Sequence, residues 1–334
     1  MNKQPVFLLF VLAVFAACPK EPKQGNVFDE ASLRDKPPDF ASLVSDGDRK
    51  MKAGLYRKAV EDYTKALVLV PRSVGCLNKR GKAKSALRDF AGALADFDRA
   101  LRIAQGDSQS LTNRGGVKYM RGDLAGALDD YAKAVSADPS CFEAFYQMGL
   151  IKSGLGDFAG AINDFNRCIA VNDAHARAFN ARGLAKYKSE RYNEAITDFS
   201  IAIDWDASLA SAWFNRADSK EALMDYAGAL ADYGKASLLE PRNFFAQLAS
   251  GLAKSKLGDF AGAEKNYGAA IAIRPDYGVA YIARSKARRE LGDYTGALAD
   301  CEKALKLNNV DKEAMLLRTE LYMKMAMPER DDVI

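Results

Sequence analysis

A basic side chain recurs at one fixed interval along most of this 334-residue chain. The basic positions lie 34 residues apart and are Lys50, Lys84, Lys118, Lys152, Lys186, Lys220, Lys254 and Arg288. Such a ladder could bind an anionic polymer, or each base could form an ion pair inside the fold. Twelve residues after each base the side chain is acidic with one exception, and these positions are Asp62, Asp96, Asp130, Asp164, Asp198, Asp232, Asn266 and Asp300.

Helix geometry favours ion pairs over a ladder. At about 100° per residue, the basic position falls within the packing arc of its own helix, so its side chain points toward the next helix. An unpaired charge there would be costly. We therefore predict structural ion pairs, among them Lys118–Asp130, Lys152–Asp164 and Lys186–Asp198. We assign to the same network the arginines one turn earlier, Arg80, Arg114, Arg182, Arg216 and Arg284.

Residues suited to catalysis or metal binding are scarce. The single histidine, His175, has no further ligands in its pattern, and we interpret it as a solvated loop residue. The five cysteines include no CxxC pair. Cys168 and Cys301 take packing positions, while Cys76 and Cys141 lie too far apart to bridge. We predict no enzyme activity, no catalytic residue, no cofactor and no bound metal.

The charge balance argues against a nucleic-acid partner. Lys and Arg total 48 against 44 Asp and Glu, so the formal net charge is +4 and is spread along the chain. Nucleic-acid-binding domains usually concentrate basic residues on one face or helix. We expect a protein or peptide partner instead.

The elements that position these residues are repeats of one length. From Phe40 to Asp311 the chain divides into eight 34-residue units without insertion or deletion. Counting each unit from 1, position 20 is always alanine, position 8 is usually glycine, and position 24 is aromatic except at Cys301. Small residues at positions 8, 20 and 27 let two helices approach, and larger neighbours fill the space beside them. Each unit is therefore predicted to be a helical hairpin.

The ends of the two helices are also marked. In Gly156-Asp157 and Gly258-Asp259 the glycine can take the left-handed conformation that ends the first helix, and the aspartate can cap the second. Proline at position 32 stops the second helix in four units. These prolines are Pro71, Pro139, Pro241 and Pro275.

This skeleton of small, alanine, aromatic, alanine and proline positions strongly resembles the tetratricopeptide repeat. The resemblance covers residues 40–311 and departs at position 11, which is usually tyrosine and is always basic here. It implies an all-α fold, a right-handed superhelical solenoid of eight helical hairpins with a C-terminal capping helix. We place that capping helix at residues 312–327, where it would cover the apolar face of the eighth unit, and a tail at 328–334.

In this family the partner is chosen by positions 2, 5, 9 and 12 of the first helix, which line the concave side. Here the central units carry an aromatic and aliphatic track at these positions. We predict a partner-binding groove formed by Tyr119, Tyr146, Leu150, Asn180, Leu184, Tyr187, Phe214, Leu248 and Leu252. Each of these could instead pack neighbouring helices, but the track as a whole favours binding. The clamp by which some family members hold a terminal carboxylate is missing, because position 5 is never lysine.

The N-terminal residues form a separate segment. Lys3 precedes an apolar run, residues 6–17, that is shorter than the roughly 20 residues needed to span a bilayer. Phe15-Ala16-Ala17-Cys18 resembles the lipobox of bacterial lipoproteins, although phenylalanine replaces the usual leucine. We expect residues 1–17 to be a signal peptide and Cys18 to carry the lipid. An ordinary secreted protein cut near Ala17 is the alternative.

Residues 18–39 would then be the lipidated cysteine and an extended, proline-flanked tether. Together these features predict a scaffold anchored by lipid to a bacterial cell membrane, facing the periplasm or the exterior. Its concave groove would bind a peptide or helix of an envelope protein. A second interpretation stays open, in which a transport-associated module binds an apolar small molecule.

Overall fold

The computed structural model describes residues 39–326, which form seventeen helices and no strand. The predicted signal peptide, Cys18, the tether up to residue 38 and the tail from residue 327 lie outside the described residues. The first helices of the eight units are α1 Phe40–Lys52, α3 Val74–Ala86, α5 Ser108–Met120, α7 Phe142–Gly154, α9 Ala176–Lys188, α11 Ala210–Ala222, α13 Phe244–Lys256 and α15 Gly278–Glu290. The second helices are α2 Tyr56–Leu69, α4 Phe90–Ile103, α6 Leu124–Ala137, α8 Phe158–Val171, α10 Tyr192–Trp205, α12 Tyr226–Leu239, α14 Phe260–Ile273 and α16 Tyr294–Leu307, and α17 follows at Lys312–Ala326.

The hairpins stack in one direction to form a solenoid, as predicted. Each helix packs against the helices before and after it in the chain. First helices of neighbouring units also pack against each other, least closely between α11 and α13, whereas second helices of neighbouring units do not pair in this way. The first helices therefore converge on an inner wall and the second helices spread over the outer side. No described helix has the length and apolar character needed to cross a membrane.

Close contact between a glycine and a ring sets the spacing of the two helices in a hairpin. A Cβ atom added to Gly149 would lie 2.6 Å from the ring of Phe165, and one added to Gly183 would lie 2.7 Å from the ring of Phe199. Interiors this dense leave no space for an added methyl group without a shift of the ring. Small residues at position 8 therefore let the position 24 ring lie directly on the first helix.

The eighth unit departs from this pattern at both positions together. Ser285 occupies position 8, and its partner at position 24 is Cys301 rather than an aromatic residue. The Ser285 Oγ and Cys301 Sγ atoms are 3.1 Å apart, and both residues are buried. The larger side chain on one helix is matched by a smaller one on the other, so the spacing is kept.

The turn between the two helices confirms the predicted glycine and aspartate roles. Gly156 and Gly258 have φ values of 84° and 80°, in the left-handed region. The Asp157 carboxylate accepts a hydrogen bond from the backbone N–H of Gly160 at 2.9 Å, which caps α8. Proline at position 32 likewise ends the second helix two residues earlier in each of its four units.

Three hairpins make the same turn without glycine. Arg88, Glu190 and Met224 occupy position 15 with φ values of 62°, 62° and 63°. A left-handed conformation is unfavourable for these residue types. The fixed hairpin spacing imposes the turn on them, and their side-chain types did not predict it.

A buried aspartate on the second helix draws two cations from the first helix. In the fifth unit Asp198 accepts hydrogen bonds from Arg182 Nε and Nη2 at 2.9 and 2.7 Å, and Lys186 Nζ lies 2.8 Å from the same carboxylate. The matching Lys118–Asp130 and Lys152–Asp164 pairs are 2.8 and 2.7 Å long. The basic positions thus point into the hairpins, with no ladder on the surface.

The arginine of this network also reaches the preceding unit. Arg114 Nη1 contacts Asp98 at 2.7 Å, and Arg182 Nη1 donates to the side chain of Asn166 at 2.7 Å. One guanidinium therefore joins three helices: its own, the second helix of its unit and the second helix of the unit before. In the seventh unit Ser250 replaces the arginine and Asn266 replaces the aspartate, so charge is lost on both sides.

We predict that Asp198→Asn destabilises the fold markedly. The substitution removes the buried carboxylate that Arg182 and Lys186 share, which should lower the free energy of unfolding by about 3 kcal/mol. Urea denaturation followed by circular dichroism measures the loss. Asp129→Asn is the matched control, because Asp129 pairs with Lys133 on the exposed face of α6 and should contribute nothing measurable. Equal losses for the two variants would contradict the structural role of the network.

Candidate partner-binding groove

The predicted groove residues lie on five consecutive first helices, α5, α7, α9, α11 and α13, along the inner wall. Eight of the nine keep part of their surface accessible, and Leu252 is the most open at 40%. Tyr146, Leu184, Tyr187 and Phe214 are each half-buried. The wall therefore presents a discontinuous strip of aromatic and aliphatic surface, called the track below.

Asn180 is the exception and corrects the prediction. Its side chain is only 6% exposed, and its Oδ1 accepts a hydrogen bond from Asn215 Nδ2 at 3.1 Å. This bond joins α9 to α11. Asn180 therefore helps to hold neighbouring first helices together and does not present an open surface to a partner.

Three of the four aromatic residues of the track rest on another ring. The Tyr146 ring lies 6.0 Å from that of Phe165, Tyr187 lies 5.5 Å from Tyr192, and Phe214 lies 5.4 Å from Tyr233, all between centroids. Tilted and edge-to-face contacts at these distances are favourable. The backing rings restrict the rotamers of the track residues, so a partner would meet side chains that are already ordered.

The hydroxyl groups of Tyr146 and Tyr187 stay neutral over the physiological range. Burial raises the pKa of Tyr146 to about 12 and that of Tyr187 to about 12. Both residues therefore offer an apolar ring with an uncharged polar tip, a combination frequent at protein interfaces.

His175 is not the solvated loop residue that we expected. It precedes α9, and its Nδ1 accepts a hydrogen bond from the backbone N–H of Ala178 at 2.9 Å. Its ring packs 5.0 Å from Tyr146 and 5.5 Å from Phe142, and burial lowers the pKa of the imidazole. His175 therefore caps a helix and supports one end of the track. No cluster of three or more potential metal ligands occurs in residues 39–326.

The ring at position 24 influences the polarity of the wall in front of it. The hydroxyl groups of Tyr63 and Tyr267 reach through the hairpin to Asp48 at 2.8 Å and Ser255 at 3.2 Å. Where position 24 is phenylalanine there is no hydroxyl to satisfy, and in the fourth and fifth units the wall carries Leu150 and Leu184 instead. The second unit departs from this relation, because Phe97 lies behind Asn78 and Lys82, so the ring at position 24 does not by itself predict the polarity of the wall.

An acidic spot interrupts the track in the sixth unit. The Tyr233 hydroxyl lies 2.7 Å from Asp218 Oδ1 and 2.7 Å from Glu221 Oε2. A hydroxyl can donate only one proton, so one carboxyl group must itself be protonated for both contacts to be hydrogen bonds. Burial, together with repulsion from Glu221, raises the pKa of Asp218 to about 7.

The basic residues near the C-terminal end of the track are engaged by α17. Lys286 forms an ion pair with Glu313, and Arg289 Nη1 lies 2.9 Å from Glu320. These bases thus fasten the last helix to α15.

We predict that Asp218 makes the fold less stable as the pH rises from about 4 to 7. The unfolded carboxyl loses its proton near pH 4, whereas the folded one keeps it to about 7, so folding takes up a proton in this window. The stability that the protonated Asp218 carboxyl contributes is fully present at about pH 4 and is lost as the pH rises through about 7. Asp218→Asn should remove this part of the pH dependence of the thermal midpoint. An unchanged profile would show that Asp218 titrates normally in the folded state.

Comparisons with known proteins agree with this architecture. The family model described as tetratricopeptide repeat matches residues 46–108, 78–140, 146–209 and 248–312, together more than half of the chain. No curated protein sequence is significantly similar to this chain.

Solved structures share the fold at low sequence identity. A tetratricopeptide repeat protein from Parabacteroides merdae ATCC 43184 superposes with a TM-score of 0.53 at 20% identity, covering 75% of this chain and 99% of its own. Pseudomonas aeruginosa pilF gives a TM-score of 0.56 at 17% identity, covering 64% of this chain and 97% of its own. The Cut9–Hcn1 structure gives 0.57 at 11% identity, covering 84% of this chain and 55% of that one. The chain belongs to the tetratricopeptide-repeat family, whose fold serves as a scaffold for protein–protein interaction.

Proposed function

We propose that this protein is a lipid-anchored scaffold of the bacterial envelope that binds an apolar segment of a partner protein along its inner wall. The observation that carries the proposal is the track, a run of half-exposed aromatic and aliphatic side chains on consecutive first helices. These side chains are backed by the core, and the ion pairs between helices use other positions. Exposed apolar surface with ordered aromatic residues is typical of protein-binding sites.

The shape of the inner wall favours a protein segment over a small molecule as the ligand. Small apolar ligands usually occupy concave sites that bury most of their surface. Two hollows of the described residues, of about 360 and 220 Å³, are lined by residues such as Asp98 and Glu190 and by none of the track. An extended or helical segment laid across several first helices would contact the track along its length.

Binding through the track can be tested in cells that make the intact protein. Cross-linked pull-down of wild type is compared with Tyr146→Ala/Tyr187→Ala/Phe214→Ala. Since one aromatic anchor contributes about 2 kcal/mol or more, the variant should recover at least about tenfold less of its partner.

The matched control changes three exposed apolar residues of the outer side, Val68→Ala/Trp205→Ala/Leu238→Ala. It should recover the partner as wild type does. Circular dichroism verifies that both variants remain folded. Equal recovery of every cross-linked protein by wild type and the track variant would overturn the proposal.

The anchor rests on the lipobox-like residues before Cys18 and the polar tether behind them. We predict that wild-type protein sediments with membranes, is released by detergent, and has a mature N-terminus at a lipid-modified Cys18. Cys18→Ser should appear in the soluble fraction, whereas the control Cys141→Ser should remain with the membranes. Intact-protein mass spectrometry with fractionation measures both. Identical fractionation of wild type and Cys18→Ser would exclude a lipid anchor at this residue.

A further inference from the structure

The last helix, α17, continues the repeat by a further half unit. Counting on from Asp311, Ala314 takes position 3, Arg318 position 7 and Tyr322 position 11. Ala314, Leu317 and Leu321 are buried against the eighth unit, and α17 contacts both α16 and α15 as a next first helix would. Within residues 39–326 no second helix follows to complete this ninth hairpin.

The side of α17 that would face such a helix is apolar and open. In six complete units the residue at position 4 is at most 7% exposed, because the second helix covers it. Met315 holds the same position in α17 and is 38% exposed. The terminal face, defined here as Met315 and Tyr322 at positions 4 and 11, is 38% exposed at Met315 and 51% exposed at Tyr322. A helix that only closes the array would carry polar residues on this side.

An arginine on this side of α17 lacks its usual counter-ion. In five units the position 7 arginine binds an aspartate 16 residues later through two hydrogen bonds, as Arg284 does with Asp300 at 2.8 and 2.6 Å. Arg318 has position 7 in α17 and has no carboxylate partner among residues 39–326. In the complete units this carboxylate lies on the second helix of the same hairpin. The site therefore has a charge to be matched as well as apolar surface to be covered.

The neighbouring position limits the size of the side chain that can face it. Thr319 holds position 8, where glycine, alanine or serine lies beneath the position 24 side chain in the complete units. Its hydroxyl donates to the backbone carbonyl of Met315 at 3.0 Å, so it needs no partner from another helix. Because threonine is larger than the glycine beneath each ring, a second helix would place a small side chain over Thr319, as Cys301 lies over Ser285, next to a carboxylate at Arg318.

We propose that the terminal face of α17 receives a helix from another protein, which completes the ninth hairpin. The occupant is an amphipathic helix that runs antiparallel to α17 and carries an aspartate or glutamate for Arg318. The residue after that carboxylate is small, as Cys301 is after Asp300, and alanines three residues to either side of this pair allow close approach. This site is separate from the track, so the protein would hold two partners at once.

A second copy of this chain does not meet the same requirement. Every complete second helix of a copy already lies within its own hairpin, with its aspartate paired. The α17 helix itself is held in place by the Lys286–Glu313 and Arg289–Glu320 ion pairs, so the face stays presented without an occupant.

The test uses a synthetic helix with the required pattern. The probe is a fluorescein-labelled peptide with the sequence of α16, Tyr294–Leu307, which carries Ala297, Asp300, Cys301 and Ala304 in this spacing. Fluorescence anisotropy against the purified full chain should show saturable binding. Arg318→Asp should weaken this binding at least tenfold, and a peptide carrying Asp300→Arg should regain it on the Arg318→Asp protein. Arg121→Asp, an exposed arginine at the end of α5, should bind as wild type does.

Two further results separate this site from the others. The track variant Tyr146→Ala/Tyr187→Ala/Phe214→Ala should bind the peptide normally, and loss of binding would place the peptide in the groove and overturn the proposal. Sedimentation of wild type and Tyr322→Lys should show monomers alike. A wild-type dimer that dissociates in Tyr322→Lys would assign the face to a second copy. Absence of saturable binding, or binding indifferent to Arg318→Asp, would also overturn the proposal.

Discussion

The aspartate at position 23 is buried between the two helices of its hairpin. Its counter-ions are lysine and arginine side chains from the first helix of the same hairpin. In the fifth unit Asp198 is almost fully buried and is met by both Arg182 and Lys186. A buried carboxylate left alone would be strongly destabilising, so each hairpin must bring its first helix to the second in one register. The same arginine reaches the preceding unit, which extends that register from one hairpin to the next.

This arrangement keeps charge away from the inner wall. Lysines that would otherwise line the surface are turned inward, and the glycine–ring contact fixes how closely the helices approach. Most residues at positions 5, 9 and 12 then take no part in these ion pairs and can vary, although Asn180 at position 5 bonds across to α11. In the fourth and fifth units, where Phe165 and Phe199 lie behind the wall, leucines and tyrosines occupy these positions and form the centre of the track.

Features that recur in the units could be predicted from the sequence, because the same residue pattern occurs in eight units. The hairpins, the turns at Gly156 and Gly258 and the inward direction of the basic residues follow from period and helix phase. Features that depend on how one unit meets the next could not be predicted. Asn180 is buried because it bonds across to α11, and His175 is covered because it caps α9 while its ring packs on Tyr146 of α7.

The last helix, α17, is another element that the sequence predicted only in part. Its spacing predicted a cap, and it does cover α16 through Ala314, Leu317 and Leu321. The exposure of Met315 and Tyr322 depends on the absence of a following helix within the described residues, which periodicity in α17 alone does not show. The anchor at Cys18 lies outside those residues and stays a prediction.

The central claim is that the stack is held by buried contacts while the inner wall is available for recognition. Comparison of Phe199→Ala with Tyr187→Ala tests it within one unit, because one ring lies in the seam and the other on the wall. Urea denaturation should show that Phe199→Ala lowers the unfolding midpoint roughly three times as much as Tyr187→Ala, since only the buried ring leaves a cavity. Equal shifts, or a larger shift for Tyr187→Ala, would mean that the wall helps to hold the array together and would contradict this claim.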